Sequence, residues 1–218
     1  AGNLNPFQSK EVVITSLHFA SRMNGDIRAI PWDLVIIDEA HNIEHVAENH
    51  FGINISNFRM TYLLSRLYNS RSRRGVLAYA GADEAVKLVG KCEKAAKVFF
   101  AQVQAWYAHA GKENSGKCEP EFVDDNITDS LKELRLAMSK FAKQTDDEDQ
   151  QCELVGYVDR CRALEVDLKN FLKQPSKGDV YWVEVNDKRR LRVSLRSAPV
   201  DVGPDIKRCL FDEFESVV

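Results

Sequence analysis

Pro31-Trp-Asp-Leu-Val-Ile-Ile-Asp38-Glu39-Ala40-His41 decides how the chain is read. Four consecutive apolar residues, Leu34 to Ile37, end in two adjacent carboxylates. A continuous apolar run of this length suits a strand covered on both faces, as in a parallel sheet. Asp38 then sits at the strand's carboxyl end. Two acids delivered there are what a Mg-nucleotide site needs. In such a site Asp38 would hold Mg²⁺ through a water, because the ion keeps part of its hydration shell. Glu39 orients or deprotonates the attacking water. His41 can hydrogen-bond to a neighbouring motif and couple hydrolysis to movement. Two other readings of the string exist. Asp38-Glu39 can act as an acidic cap on a helix running through Ile43 and Val46. His41-Asn-Ile-Glu44-His45 also matches H-x-x-E-H, an inverted zinc-peptidase motif with two histidines one helical turn apart and Glu44 as base. That site needs a third ligand, which the sequence does not single out.

Working outward, Glu11-Val-Val-Ile-Thr15 is a second short β-branched run, and the first forty residues read as α/β. The middle is helical. Asn57 to Leu67 carries Phe58, Met60, Leu63, Leu64 and Leu67 at spacings of three and four, followed by the polar, basic interruption Tyr68 to Gly75. Asp83 to Ala108 repeats apolar residues near a 3.6 period, with Phe99, Phe100 and Trp106 on its core face. Gly111 to Gly116 reads as a loop. Ser130-Leu-Lys-Glu133 predicts a capping box for a helix carrying Leu131, Leu134, Met138 and Phe141. Thr145 to Gln150 is an acidic turn. Leu154 to Phe171 marks another helix, stopped by Pro175 and Gly178. Val180 to Val185 and Leu191 to Arg196 flank the turn Asn186-Asp-Lys-Arg-Arg190, a hairpin in which Tyr181 and Trp182 face opposite sides. A helix is expected between Asp205 and Phe211. The order fits a helical domain inserted into an α/β domain, with an uninterrupted α+β fold as the alternative.

The 218 residues carry 30 basic and 33 acidic side chains, a net charge of −3, which excludes a globally basic binder but not a local basic patch. No apolar stretch approaches 18 residues, and Ala1 to Lys10 does not read as a secretory signal. Cys92, Cys118, Cys152, Cys161 and Cys209 form no C-x₂-C pair. Their scatter argues against a disulfide framework or closed zinc site and fits packed thiols in a reducing compartment.

Trp32-Asp-Leu-Val-Ile-Ile-Asp-Glu-Ala-His-Asn-Ile-Glu44 resembles the DEAH box of superfamily 2 helicases, in the form typical of the DinG/XPD-like branch. Val180-Tyr-Trp-Val-Glu184, Leu195-Arg-Ser-Ala-Pro-Val-Asp-Val202, Ile206 to Phe211 and Ser216-Val-Val218 look like that branch just before its Ser-Ala-Thr motif. The resemblance implies a RecA-like P-loop motor fold with a large helical, arch-like insertion and a C-terminal β-hairpin. It places motor-domain sequence at 1–55, the insertion at 56–178, and the hairpin and return to the motor at 179–218. It further implies ATP and Mg²⁺ as cofactors, Asp38 as metal ligand, Asp38 and Glu39 as nucleotide-binding residues, Glu39 and His41 as catalytic residues, and a DNA-repair type of activity on single-stranded or forked DNA. Cytoplasmic, nucleoid-associated location, no membrane and no obligate protein partner are expected.

Departures from the family pattern shape the expectation. None of the eleven glycines sits in a G-x-x-x-x-G-K-[ST] phosphate loop. The Ser-Ala-Thr motif and the second motor domain are also missing. The chain is therefore expected to be an excerpt of a helicase and inactive as an ATPase by itself. The family's iron–sulfur cluster, where present, uses four cysteines upstream of the DEAH box, and no cysteine precedes Cys92 here; a cluster is expected outside this chain if at all. Within the insertion the candidate DNA contacts are Arg66, Arg71, Arg73 and Arg74, four cations within nine residues, with Tyr62 and Tyr68 nearby. Lys188, Arg189 and Arg190 read as a solvated turn. A non-enzymatic DNA-guiding or partner-docking module is the alternative function.

Overall fold

A computed structural model describes residues 13, 23, 26–27, 29–31, 52–78, 82–145, 147–187 and 190–207. Of the strand expected at 11–15 only Val13 is described, and the second apolar run with the DEAH string lies outside the described residues. The chain divides into two compact units, 53–198 and the pair of segments 1–52 and 199–218.

The unit 53–198 begins with strand β1 (Asn54–Ser56) and helix α1 (Asn57–Leu67). Ser56 ends the strand and caps the helix, its side chain accepting from Arg59 N at 3.2 Å. Helix α2 (Asp83–Trp106) runs into a π-helical turn at Tyr107–Gly111. There Lys112 N donates to Tyr107 O at 3.1 Å, and a side chain on Gly111 would meet the Trp106 and Tyr107 rings. Helices α3 (Thr128–Ala142) and α4 (Glu148–Lys173) follow, then strands β2 (Asp179–Asn186) and β3 (Arg192–Pro199). The sheet order is β1-β3-β2, with β1 antiparallel to β3 in the register Asn54↔Arg196, Ile55↔Leu195, Ser56↔Ser194.

The chain therefore enters and leaves the helical unit through neighbouring strands. Ile53 N donates to Ser197 Oγ at 3.0 Å, and Ser197 N donates to Ile53 O at 2.9 Å. The hairpin falls in the same compact unit as the helices. The reason is a run of edge-to-face aromatic contacts: Trp106 to Phe122, Phe122 to Phe171, and Phe171 to Tyr181, with centroids 4.7, 6.1 and 5.6 Å apart. They link α2, the following loop, α4 and β2. Tyr181 is buried and Trp182 only half-buried, as their alternation implies. Phe99 and Phe100 are buried, as expected for a core face.

The start of α3 differs from the expected capping box. Ser130 lies inside the helix and is buried, its carbonyl accepting from the Cys92 thiol at 3.0 Å. Asp125 caps the helix from outside, its Oδ1 accepting from Ile127 N and Thr128 N at 3.3 and 3.0 Å. Helix α4 starts earlier than its apolar pattern implies, inside the stretch read as an acidic turn, with Asp147 accepting from Asp149 N and Gln150 N. It ends at Gln174 in a left-handed conformation, φ 47°.

Helices α3 and α4 share a partly buried ion-pair network centred on Glu165. Glu165 accepts from Arg135 Nε at 3.0 Å and from Lys169 Nζ at 2.9 Å. Burial alone would raise the Glu165 carboxyl, but hydrogen bonds from Lys169 and Arg135 outweigh it and hold the group below the ordinary glutamate value. A carboxyl that binds protons less readily when folded stabilises the fold above its unfolded pKa and loses that contribution as pH falls through its folded one. Urea titrations below about pH 4.5 are therefore expected to show wild-type stability falling with acid more steeply than that of Glu165→Gln. Equal slopes would mean that Glu165 contributes no such linkage.

Cys92, Cys118 and Cys161 are buried and Cys152 is exposed. Burial pushes the first three thiols up to about 12, which leaves them inert packing groups. In the other unit, Asp201 Oδ1 accepts from Gly203 N at 2.9 Å and opens the short helix α5 (Gly203–Ile206). The rest of the helix expected to Phe211 lies outside the described residues. No helix among the described residues is long and apolar enough to cross a membrane.

Candidate nucleic-acid interface

Asp38, Glu39 and His41, and with them Glu44 and His45, lie outside the described residues. The four arginines of the candidate DNA surface are all described and all exposed.

Their placement follows from how α1 ends. The last carbonyls of a helix have no partner within it and must find one elsewhere. Here the chain turns back on itself and supplies them. Tyr68 N donates to Leu64 O, Val76 N to Arg66 O and Leu77 N to Leu67 O, at 3.0, 3.1 and 2.9 Å. The turn between is closed at its base, where Asn69 N donates to Arg74 O and Arg73 N to Asn69 O, both at 2.8 Å. Asn69 also organises the turn from inside, its Oδ1 accepting from Arg71 N and Ser72 N. Two residues take positive φ, Arg73 at 53° and Gly75 at 144°. A Cβ on Gly75 would collide with Leu67 O, so the return of the chain over the helix end requires glycine. Cations at this end also suit the negative pole of the helix.

This turn distributes the arginines rather than gathering them. Arg66 and Arg74 line a recess of about 450 Å³ with Ser65, Ser72 and Glu153. The Arg66 pKa is raised above its ordinary value, chiefly by a side-chain hydrogen bond with Tyr157, with further electrostatic contributions from Tyr157 and Tyr62. Arg160 lies over the Tyr157 ring, 4.8 Å from its centroid. Arg71 lines a different depression, a groove of about 650 Å³ between α1, α2 and the hairpin, which Lys97 also lines. Ser65 and Asn69 belong to both walls, so the two depressions adjoin around the end of α1. Arg73 lines neither.

The aromatics divide as well. Tyr62 is 68% exposed and free to stack, whereas Tyr68 packs against the core. Phe58, counted with the apolar positions of the helix, is 39% exposed and lies one turn before Tyr62. Lys97, Tyr157 and Arg160 were missed by sequence reasoning. Lys97 is one of several lysines on an amphipathic helix, and nothing local distinguishes it. The link between Tyr157 and Arg66 spans ninety residues of chain.

Gly111-Lys-Glu-Asn-Ser-Gly116-Lys117-Cys118 matches a phosphate loop in all but its last residue. The structure gives it another role. A phosphate loop follows a strand, opens a helix and offers free backbone N–H groups. This segment follows a helix, and the amides at its second glycine and lysine are taken: Gly116 N donates to Gly111 O, Lys117 N to Asn114 O and Cys118 N to Tyr181 O. Val183 N returns a bond to Gly116 O at 2.8 Å. The segment is a clasp on the edge of β2. Among the described residues no group of three or more His, Cys, Asp or Glu side chains could hold a metal ion.

No protein-family model matches the chain, and no curated protein matches it.

Proposed function

We propose that the chain is part of an ATP-dependent DNA helicase of the DinG/XPD-like DEAH-box branch. In this reading the residues around Asp38 and Glu39 belong to a RecA-like motor, and the unit 53–198 is a helical insertion that guides single-stranded DNA. The observation that carries it is the string Val35 to Glu44, an apolar run delivering two acids, a histidine and the rest of the DEAH signature. The strand pairing at the entry and exit of the helical unit supports it, because an insertion must leave and rejoin its host at neighbouring points. ATP and Mg²⁺ would be held with the help of Asp38. Glu39 would polarise the attacking water and His41 would transmit the nucleotide state. The exposed arginines and Tyr62 provide what a sequence-tolerant strand contact needs, cations for phosphates and a ring for bases.

The test uses the 218-residue chain and a fluorescent single strand. Saturable anisotropy change is expected, weakening linearly in log Kd against log salt as phosphate contacts release counterions. The same chain is expected to hydrolyse no ATP, since it carries no free phosphate loop. Absence of strand binding at low salt would remove the DNA-guiding role, and Mg²⁺-dependent turnover by this chain would overturn the excerpt reading. The coding sequence ahead of Ala1 is expected to contain a G-x-x-x-x-G-K-[ST] loop.

A further inference from the structure

The groove between α1, α2 and the hairpin has features that the strand-guiding role does not by itself require. Its volume, about 650 Å³, falls within the roughly 300–1,000 Å³ of small-molecule sites. Its floor is apolar and partly aromatic, made by Leu64, Ala96, Phe100 and Val193. Arg71 and Lys97 stand on its walls, and neither forms an ion pair with another described residue. Thr61 and Gln104 also line it, and their side chains make no hydrogen bond to another described residue. The groove thus combines an apolar floor, two cations without an ion-pair partner and two polar groups without a side-chain hydrogen bond among the described residues. A single carboxylate, Glu93, completes the lining. It disfavours a second phosphate but can accept from an exocyclic amino group, as acids do with cytosine N4.

We infer that this groove is a seat for one unstacked nucleotide of a bound single strand, with the base on the Phe100 side and the flanking phosphate between Arg71 and Lys97. The inference rests on the strand-binding reading and adds a base-holding subsite to it. An unstacked base loses its neighbours and gains the apolar bed, while the neighbouring phosphates keep the cations satisfied.

Ala101 lines the groove from an exposed helical position, so Ala101→Trp fills the space without disturbing the core. The probes are a labelled 12-nucleotide oligo-dC and an abasic strand of equal length, titrated against the full chain with helicity checked by circular dichroism. Ala101→Trp is expected to weaken oligo-dC binding about tenfold, and Lys97→Ala about threefold. On the abasic strand the Ala101→Trp penalty is expected to vanish. Unchanged oligo-dC binding by Ala101→Trp, with wild type binding normally, overturns the seat and leaves the strand-guiding role standing. An equal penalty on both strands also overturns it, since the groove would then hold backbone alone. Failure of wild type to bind either strand removes both. Competition by oligoglutamate as strong as that by oligo-dC would assign the groove to an acidic peptide and overturn the nucleotide.

Discussion

Gly116→Ala is expected to destabilise the helical unit by about 3–4 kcal/mol, the sum of a strained backbone and an overpacked contact. Gly116 has φ 81°, a conformation that side chains rarely adopt. A Cβ there would also run into the Val183 carbonyl oxygen. Val183 cannot withdraw cheaply, because its N–H bonds Gly116 O and the next bond of the clasp joins Cys118 N to Tyr181 O. Tyr181 in turn carries the last of the edge-to-face contacts, to Phe171. A disturbance at Gly116 is therefore passed to the seam between hairpin and helices. Chemical denaturation is the check, with the midpoint falling while the slope stays near wild type. Stability within 1 kcal/mol of wild type would mean that the clasp is not part of the cooperative unit.

Simultaneous Arg71→Ala, Arg73→Ala and Arg74→Ala changes are expected to weaken single-strand binding about 100-fold at low salt, taking about 1 kcal/mol for each exposed charge contact. The salt dependence should become shallower by about 2 in log–log slope, at about 0.7 per phosphate contact on a single strand. Both effects arise without loss of the fold. The three side chains are exposed, and the bonds that shape the turn run through backbone atoms and Asn69. Arg73→Ala keeps a Cβ at φ 53°, so it leaves the backbone strain of that position unchanged. Arg66 is left in place because it belongs to helix α1 rather than to the turn. If the triple variant binds as wild type does, the basic turn is a solvated loop and any strand contact lies elsewhere.

Much of the helical unit was legible because the deciding forces are local. Helix α1 begins and ends where its apolar spacing and the polar interruption after it place it, and α4 starts within the acidic turn that caps it. Alternation alone told that Tyr181 and Trp182 point to opposite faces. Local pattern was insufficient where two residues compete for one job. Ser130 and Asp125 could each cap α3, and the loop path brings the Asp125 carboxylate, not the Ser130 hydroxyl, to the free amides. It was insufficient again for Phe58, since spacing identifies an apolar position but not whether another element arrives to cover it.

The arginine cluster shows the same division at the candidate site. Composition by itself determined that four cations stand together in sequence after an amphipathic helix, on a polar interruption that solvent would reach. It also determined the acids and histidine of the DEAH string, which need only an apolar run before them to be recognised. Tertiary structure alone decided that Arg71 faces one depression and Arg66 and Arg74 the adjoining one, that Arg73 faces neither, and that Lys97 shares a groove with Arg71. That placement depends on a turn closed by Asn69 and a glycine over the helix end, and on α2 bringing Lys97, 26 positions from Arg71, to the same groove. Periodicity fixes which face of a helix is apolar, but only packing determines which polar groups end up beside one another.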